Sequence, residues 1–195
     1  MRGGLDVRHL PNIICMLRIV LVWPIAAALA DREYLLALCL FIVAGLSDGI
    51  DGFLAKRFNW RSELGKFLDP FADKLLLVTV FVEAAWLGLA PWWLTSAVVA
   101  RDVLIGLGAM VFRLWFGPLR GRPTISSKIN TAMQLLYLMA MLVHAAIPPH
   151  GALETLAQEI LDALAVLVFI TTAFSGLNYM AIFTRRAWEQ PVSPS

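Results

Sequence analysis

The chain reads as an all-α integral membrane protein: six transmembrane helices in one bundle, both termini cytoplasmic, with a short N-terminal interfacial segment. Three observations predict this. Of 195 residues, 59% are hydrophobic and mean hydropathy is +0.74, whereas soluble domains stay near ~45–50% apolar. Six apolar segments recur along the chain, each long enough for the ~20 residues a spanning helix needs. The basic residues fall in alternate connections, as the positive-inside bias requires.

Residues 1–10 (MRGGLDVRHL) form the polar lead-in. The spans are expected at 12–30, 34–56, 67–88, 92–115, 127–147 and 156–183. Arg2 and Arg8 precede the first. Lys56, Arg57, Arg61 and Lys66 lie between the second and third, and Arg113, Arg120, Arg122 and Lys128 between the fourth and fifth. Arg185 and Arg186 follow the sixth, and the opposite connections hold only Arg32. Both termini therefore belong in the cytoplasm. The connections 88–93 and 147–155 face the other side, where Trp86, Trp92 and Trp93 suit an interfacial belt.

No internal repeat is visible, and 189–195 reads as a disordered tail. The N-terminus lacks the pattern of a cleavable signal. A net charge of +2 gives no basis for a nucleic-acid partner; the cations suit a rim for anionic membrane lipid. Cys15 and Cys39 lie in apolar runs and read as small core residues, not as a disulfide or metal pair.

Four aspartates interrupt the apolar pattern. Asp48 and Asp51 are three apart on one helix face; Asp69 and Asp73 are four apart on one face of the next. Uncompensated carboxylates at membrane depth are costly. Salt bridges to Lys56, Arg57, Lys66 and Lys74 are the structural alternative; they pair some carboxylates but do not explain four on adjoining faces. An all-oxygen cage suits Mg²⁺, Mn²⁺ or Ca²⁺, not Zn²⁺. Two such ions would clamp a diphosphate. Gly52 and Ala55, one turn apart, leave room for a flat ligand or a second backbone.

The string formed by Asp48, Asp51, Gly52, Ala55, Gly65, Asp69 and Asp73 resembles the signature of the CDP-alcohol phosphatidyltransferase family, D-x-x-D-G-x-x-A-R, eight residues, G-x-x-x-D-x-x-x-D. Lys56 stands where the family has arginine, and Arg57 follows. Lysine keeps the charge without the planar fork. The resemblance extends to the six-span fold and to a single membrane domain over 1–188. It implies transfer of a phosphatidyl group from CDP-diacylglycerol to an alcohol, with release of CMP. By the same resemblance, Asp48, Asp51, Asp69 and Asp73 hold two Mg²⁺ or Mn²⁺ ions, and Asp73 is also the base. Asp48, Asp51, Gly52, Ala55, Lys56, Gly65 and Asp69 receive the CDP-lipid.

Three further stretches bear on the acceptor. Pro11-Asn12 through Cys15 to Arg18 resembles the P-N-x-x-T-x-x-R entry of the glycerophospholipid branch, with Cys15 for threonine. Arg18 is either a snorkelling surface residue or a phosphate contact. Arg101-Asp102 is either a structural pair or presents Arg101 to an anionic acceptor. Lys128 and Asn130 open the fifth span and suit phosphate or glycerol oxygens. The run from Pro123 to Gln134 and the R-D-V run at 101–103 resemble mitochondrial-type cardiolipin synthases. That favours phosphatidylglycerol as acceptor, with glycerol 3-phosphate as the alternative.

The expected acceptor residues are thus Arg18, Arg101, Lys128 and Asn130. The setting implied is a bacterial inner membrane, with the site near the cytoplasmic face. Gly106, Gly108 and Gly176 permit close helix packing or a homodimer. Two other classes use membrane carboxylates. An intramembrane prenyltransferase normally has more spans and two separated motifs, and a divalent-cation transporter places its carboxylates near the midplane.

Overall fold

A computed structural model describes residues 10–58, 63–116, 124–147 and 150–189. Within these, 10–15, 48–58, 63–71, 112–116, 152 and 186–189 are described by backbone alone. The regular elements are α1 (Leu10–Ala30), α2 (Tyr34–Phe58), α3 (Glu63–Trp86), α4 (Trp92–Phe116), α5 (Ile125–Ala146) and α6 (Ala152–Glu189). They follow the six predicted segments in order. The largest departure is α6, whose 38 residues run about 57 Å at ~1.5 Å per residue. Its polar ends, which carry no hydropathy signal, continue the helix on both sides of the apolar run.

Three described stretches are long and apolar enough to cross a bilayer: Trp92–Val111, Ile125–Ala146 and Leu153–Arg185. The apolar parts Met16–Ala30 and Tyr34–Ser47 are shorter.

Helix ends close by recognisable hydrogen bonds. At the end of α1, Glu33 N donates to Ala28 O and Arg32 N to Leu29 O. Leu89 N to Ala84 O and Gly88 N to Ala85 O repeat the pattern after α3. Each is a Schellman ending, whose C′ residue takes a left-handed backbone. Gly88 does so at φ 76°, and Arg32 at φ 61° without glycine's freedom.

The chain forms two compact units, 1–89 with 141–149 and 90–140 with 150–195. In the first, α1 lies against both α2 and α3. Ala28, Leu29, Ala37, Phe41, Ala72, Val80, Phe81 and Ala84 are buried there. In the second, α4 lies against α6, and Leu94, Val98, Leu138, Ala165 and Val168 are buried. Alanine recurs at these contacts because small residues let helices approach where lipid is as apolar as the protein. Large apolar side chains such as Trp23, Leu46, Leu104 and Phe174 point outward.

Trp86, Trp92 and Trp93 are exposed, as an interfacial belt requires. One smaller expectation is corrected: Cys39 is an exposed free thiol, not a core residue. A methyl added at Gly106 meets nothing within 4 Å among the described residues. At Gly108 it would sit 2.9 Å from the Phe183 ring, so there the absence of a side chain admits α6.

Candidate functional site

The carboxylate motif straddles the junction of α2 and α3. Asp48 and Asp51 lie on the later part of α2, and Asp69 and Asp73 on α3. Asp51 is seven residues before the end of α2 and Asp69 six after the start of α3. At ~1.5 Å per residue these are about 10 Å and 9 Å from the junction. Both pairs thus stand nearly equally far from the helix ends that flank the junction. The side chains of Asp48, Asp51, Gly52, Ala55, Lys56, Gly65 and Asp69 lie outside those described. Among the described residues no cluster of three His, Cys, Asp or Glu forms.

Asp73 is described, and it is ion-paired with Arg18 of α1. Arg18 is 1% exposed, while the Asp73 side chain keeps 41% of its surface. The snorkelling alternative for Arg18 therefore fails: its guanidinium points into the first unit, onto the carboxylate expected to act as base. The partly open face of Asp73 fits a cation bound from the accessible side, and carboxylate oxygen is the donor a hard divalent ion takes.

The second unit holds a polar cluster around Arg101, which is 5% exposed. Its Nη1 donates to Asp102 Oδ1 at 2.6 Å. Its Nη2 donates to Ser127 Oγ at 2.9 Å and to Ser175 Oγ at 2.5 Å. The guanidinium also lies 5.8 Å from the Tyr179 ring centroid, within cation–π range. Arg101 Nε has no hydrogen-bond partner among the described residues. One guanidinium thus ties α4 to α5 through Ser127 and to α6 through Ser175. The Arg101-Asp102 pair takes part in holding three helices together.

The start of α5 is held in the same manner. Thr124 Oγ1 accepts from Ser127 N at 3.3 Å, an N-cap contact that satisfies one free helix donor. Ser126 Oγ accepts from Asn178 Nδ2 at 3.0 Å. Lys128 is exposed on this first turn, free of the cluster beside it. Asn130 is fully buried, and its Oδ1 accepts from Thr171 at 3.0 Å and Thr172 at 2.8 Å. Asn130 therefore anchors α5 to α6 and does not stand open on a surface. Sequence reasoning missed Ser127, Ser175, Tyr179 and Gln134. The spacing of Ser127, Asn130 and Gln134, by three and then four, marks one face of α5, and that signal was present in the sequence.

The model of the CDP-alcohol phosphatidyltransferase family matches residues 8–173. Human cardiolipin synthase (CMP-forming) is 32% identical over 186 residues, covering 87% of this chain and 61% of that protein. The probable phosphatidylglycerophosphate synthase of Mycobacterium tuberculosis (strain ATCC 25618 / H37Rv) is 28% identical over 185 residues, covering 92% of this chain and 83% of its own. The CDP-diacylglycerol–glycerol-3-phosphate 3-phosphatidyltransferase of Bacillus subtilis (strain 168) is 32% identical over 159 residues, covering 77% and 72%. The chain spans about three fifths of the length of the human and Rattus norvegicus cardiolipin synthases, 61% of each. With its motif on α2 and α3 and a match over most of its length, the chain belongs to the CDP-alcohol phosphatidyltransferase family.

Proposed function

We propose that this protein transfers a phosphatidyl group from CDP-diacylglycerol to phosphatidylglycerol, forming cardiolipin and releasing CMP. The observation that carries the transfer is the aspartate set at full family spacing across α2 and α3. The preference for phosphatidylglycerol rests on the likeness to cardiolipin synthases. Glycerol 3-phosphate is the second reading, favoured by the Bacillus subtilis relative named for that acceptor, which is covered over 72% of its length.

Asp48, Asp51, Asp69 and Asp73 hold Mg²⁺ or Mn²⁺, two ions in all, which when bound neutralise the diphosphate charge. Asp48, Asp51, Gly52, Ala55, Lys56, Gly65 and Asp69 receive the CDP-lipid. Asp73 takes the proton of the acceptor hydroxyl. That oxygen bonds to the lipid-side phosphorus while the bond from this phosphorus to the bridging diphosphate oxygen breaks, and CMP departs with that oxygen. Arg18 orients the Asp73 carboxylate, to which it is paired, and offers a cation to an acceptor phosphate arriving there. Arg101 and Lys128 form the acceptor side, while Asn130 anchors the helix that carries Lys128. The setting is a six-span domain in a bacterial inner membrane, both termini and the site on the cytoplasmic side, with a homodimer as the assembly.

The test is purified protein with CDP-diacylglycerol and either phosphatidylglycerol or glycerol 3-phosphate, with CMP release followed and the lipid product identified by mass. Cardiolipin is expected. No CMP release with either acceptor would overturn the reading.

A further inference from the structure

A groove of about 340 Å³ runs along the second unit between α4 and α6. Ala97, Ala100 and Leu104 line one wall; Ala173, Leu177 and Met180 line the other. Its α4 side extends from Ala97 to Ile105 and its α6 side from Phe169 to Phe183. At ~1.5 Å per residue these spans are about 12 and 21 Å. One leaflet of a ~30 Å hydrocarbon core is about 15 Å deep. The groove thus has the length of a single lipid chain within one leaflet. It is open as well as apolar: Leu104, Leu177 and Met180 are more than half exposed.

One charged residue lines it. Arg101 reaches the groove midway along α4, and its buried Nε is the one guanidinium nitrogen of Arg101 with no hydrogen-bond partner among the described residues. Gly176 lines the groove next to it, and a methyl there would lie in ordinary contact with Arg101 Cγ at 3.6 Å. A plain hydrocarbon chain would leave that donor unsatisfied. A phospholipid offers both parts, a chain for the walls and an ester or phosphate oxygen for Nε. Arg101 is also the cation proposed for the acceptor, so groove and acceptor side share a residue.

Resting on the proposed transfer reaction, we infer that the α4–α6 groove holds an acyl chain of the phospholipid acceptor, with an oxygen of that lipid on Arg101 Nε. The groove thereby selects a lipid acceptor over a water-soluble glycerol phosphate.

Ala100 and Ala173 are exposed and stand on opposite walls, so Ala100→Phe and Ala173→Phe fill the groove without entering a packed core. The measurement is kcat/KM for dioleoyl and dibutyryl phosphatidylglycerol, in mixed micelles with CDP-diacylglycerol saturating, with glycerol 3-phosphate as a third acceptor. The wild type should favour the dioleoyl acceptor. Each variant should lose tenfold or more of that preference while keeping its melting temperature. Equal loss on both lipids, or no loss on either, overturns the groove. So does a wild type that uses glycerol 3-phosphate but not phosphatidylglycerol, although the transfer reaction then stands. A wild type that releases no CMP with any of the three brings down the transfer reading itself.

Discussion

Removing the Arg101 fork separates cohesion from chemistry. Arg101 and Asp102 are 5% and 6% exposed, and Arg101 also holds Ser127 and Ser175. Arg101→Met keeps the length of the side chain and deletes the charge. Breaking a buried ion pair from one side costs about 3–5 kcal/mol. At ~2–4 °C per kcal/mol for a chain of this size, the melting temperature should fall by about 6–20 °C. Adding Asp102→Asn removes the stranded carboxylate charge and should recover at least half of that loss. Acceptor use should not recover, because the guanidinium is still missing. The two readouts are thermal unfolding in detergent at a fixed scan rate and initial rate against acceptor concentration. We expect a tenfold or greater rise in acceptor KM in both variants, with the CDP-lipid curve almost unchanged. An Arg101→Met protein melting within about 2 °C of wild type would refute the cohesive role. Recovery of acceptor use in the double variant would refute the binding role.

Activity should vanish on chelation and return with added Mg²⁺ or Mn²⁺; full turnover in metal-free protein would defeat the carboxylate cage. Asp73→Asn should stop turnover while CDP-lipid binding persists, since three carboxylates remain, whereas Asp48→Asn should weaken that binding too. Equilibrium binding beside single-turnover rates distinguishes the two, and normal turnover in Asp73→Asn would strip Asp73 of its role as base. Lys56→Ala should raise the KM for CDP-diacylglycerol and Lys56→Arg should be tolerated, because charge at this position matters more than shape; an unchanged KM in Lys56→Ala would make Lys56 a rim charge only.

The helices were legible because a bilayer demands apolar runs of spanning length, and such runs are visible without knowledge of their neighbours. Their faces were not. Cys39 lies in an apolar run and is exposed, while Ala37, two residues earlier, is fully buried. In lipid both faces of a helix are apolar, so hydropathy does not tell the packed side from the lipid side. Polar residues escape that ambiguity only in part. Arg18 in an apolar helix reads as either a snorkelling residue or a phosphate contact; it is buried and paired with Asp73. That pairing was beyond local reasoning, because 55 residues separate the two. The carboxylate pairs were readable as spacing alone. The Arg101 cluster was half readable: the pair on α4 was visible, but Ser127 and Ser175 come from two other helices.

Relatives named for different reactions align with the same chain. The family signature, common to phosphatidyl transfer as such, gives no reason to prefer one acceptor. The second unit supplies residues of the right kind. Arg101 offers charge, and Ser127, Asn130 and Gln134 share one face of α5. Asn130 spends its oxygen on two threonines, while its Nδ2 and both amide atoms of Gln134 have no hydrogen-bond partner among the described residues. A buried amide left in that state costs about 1–3 kcal/mol per unmet group. An apolar residue of similar volume at 134 would avoid that penalty. Among the described residues, the unmet donors and acceptor on the α5 face that also carries Ser127 match the hydrogen-bonding groups of a glycerol headgroup. On the proposed transfer reading, acceptor choice would rest on the polar face of α5 and the groove beside Arg101.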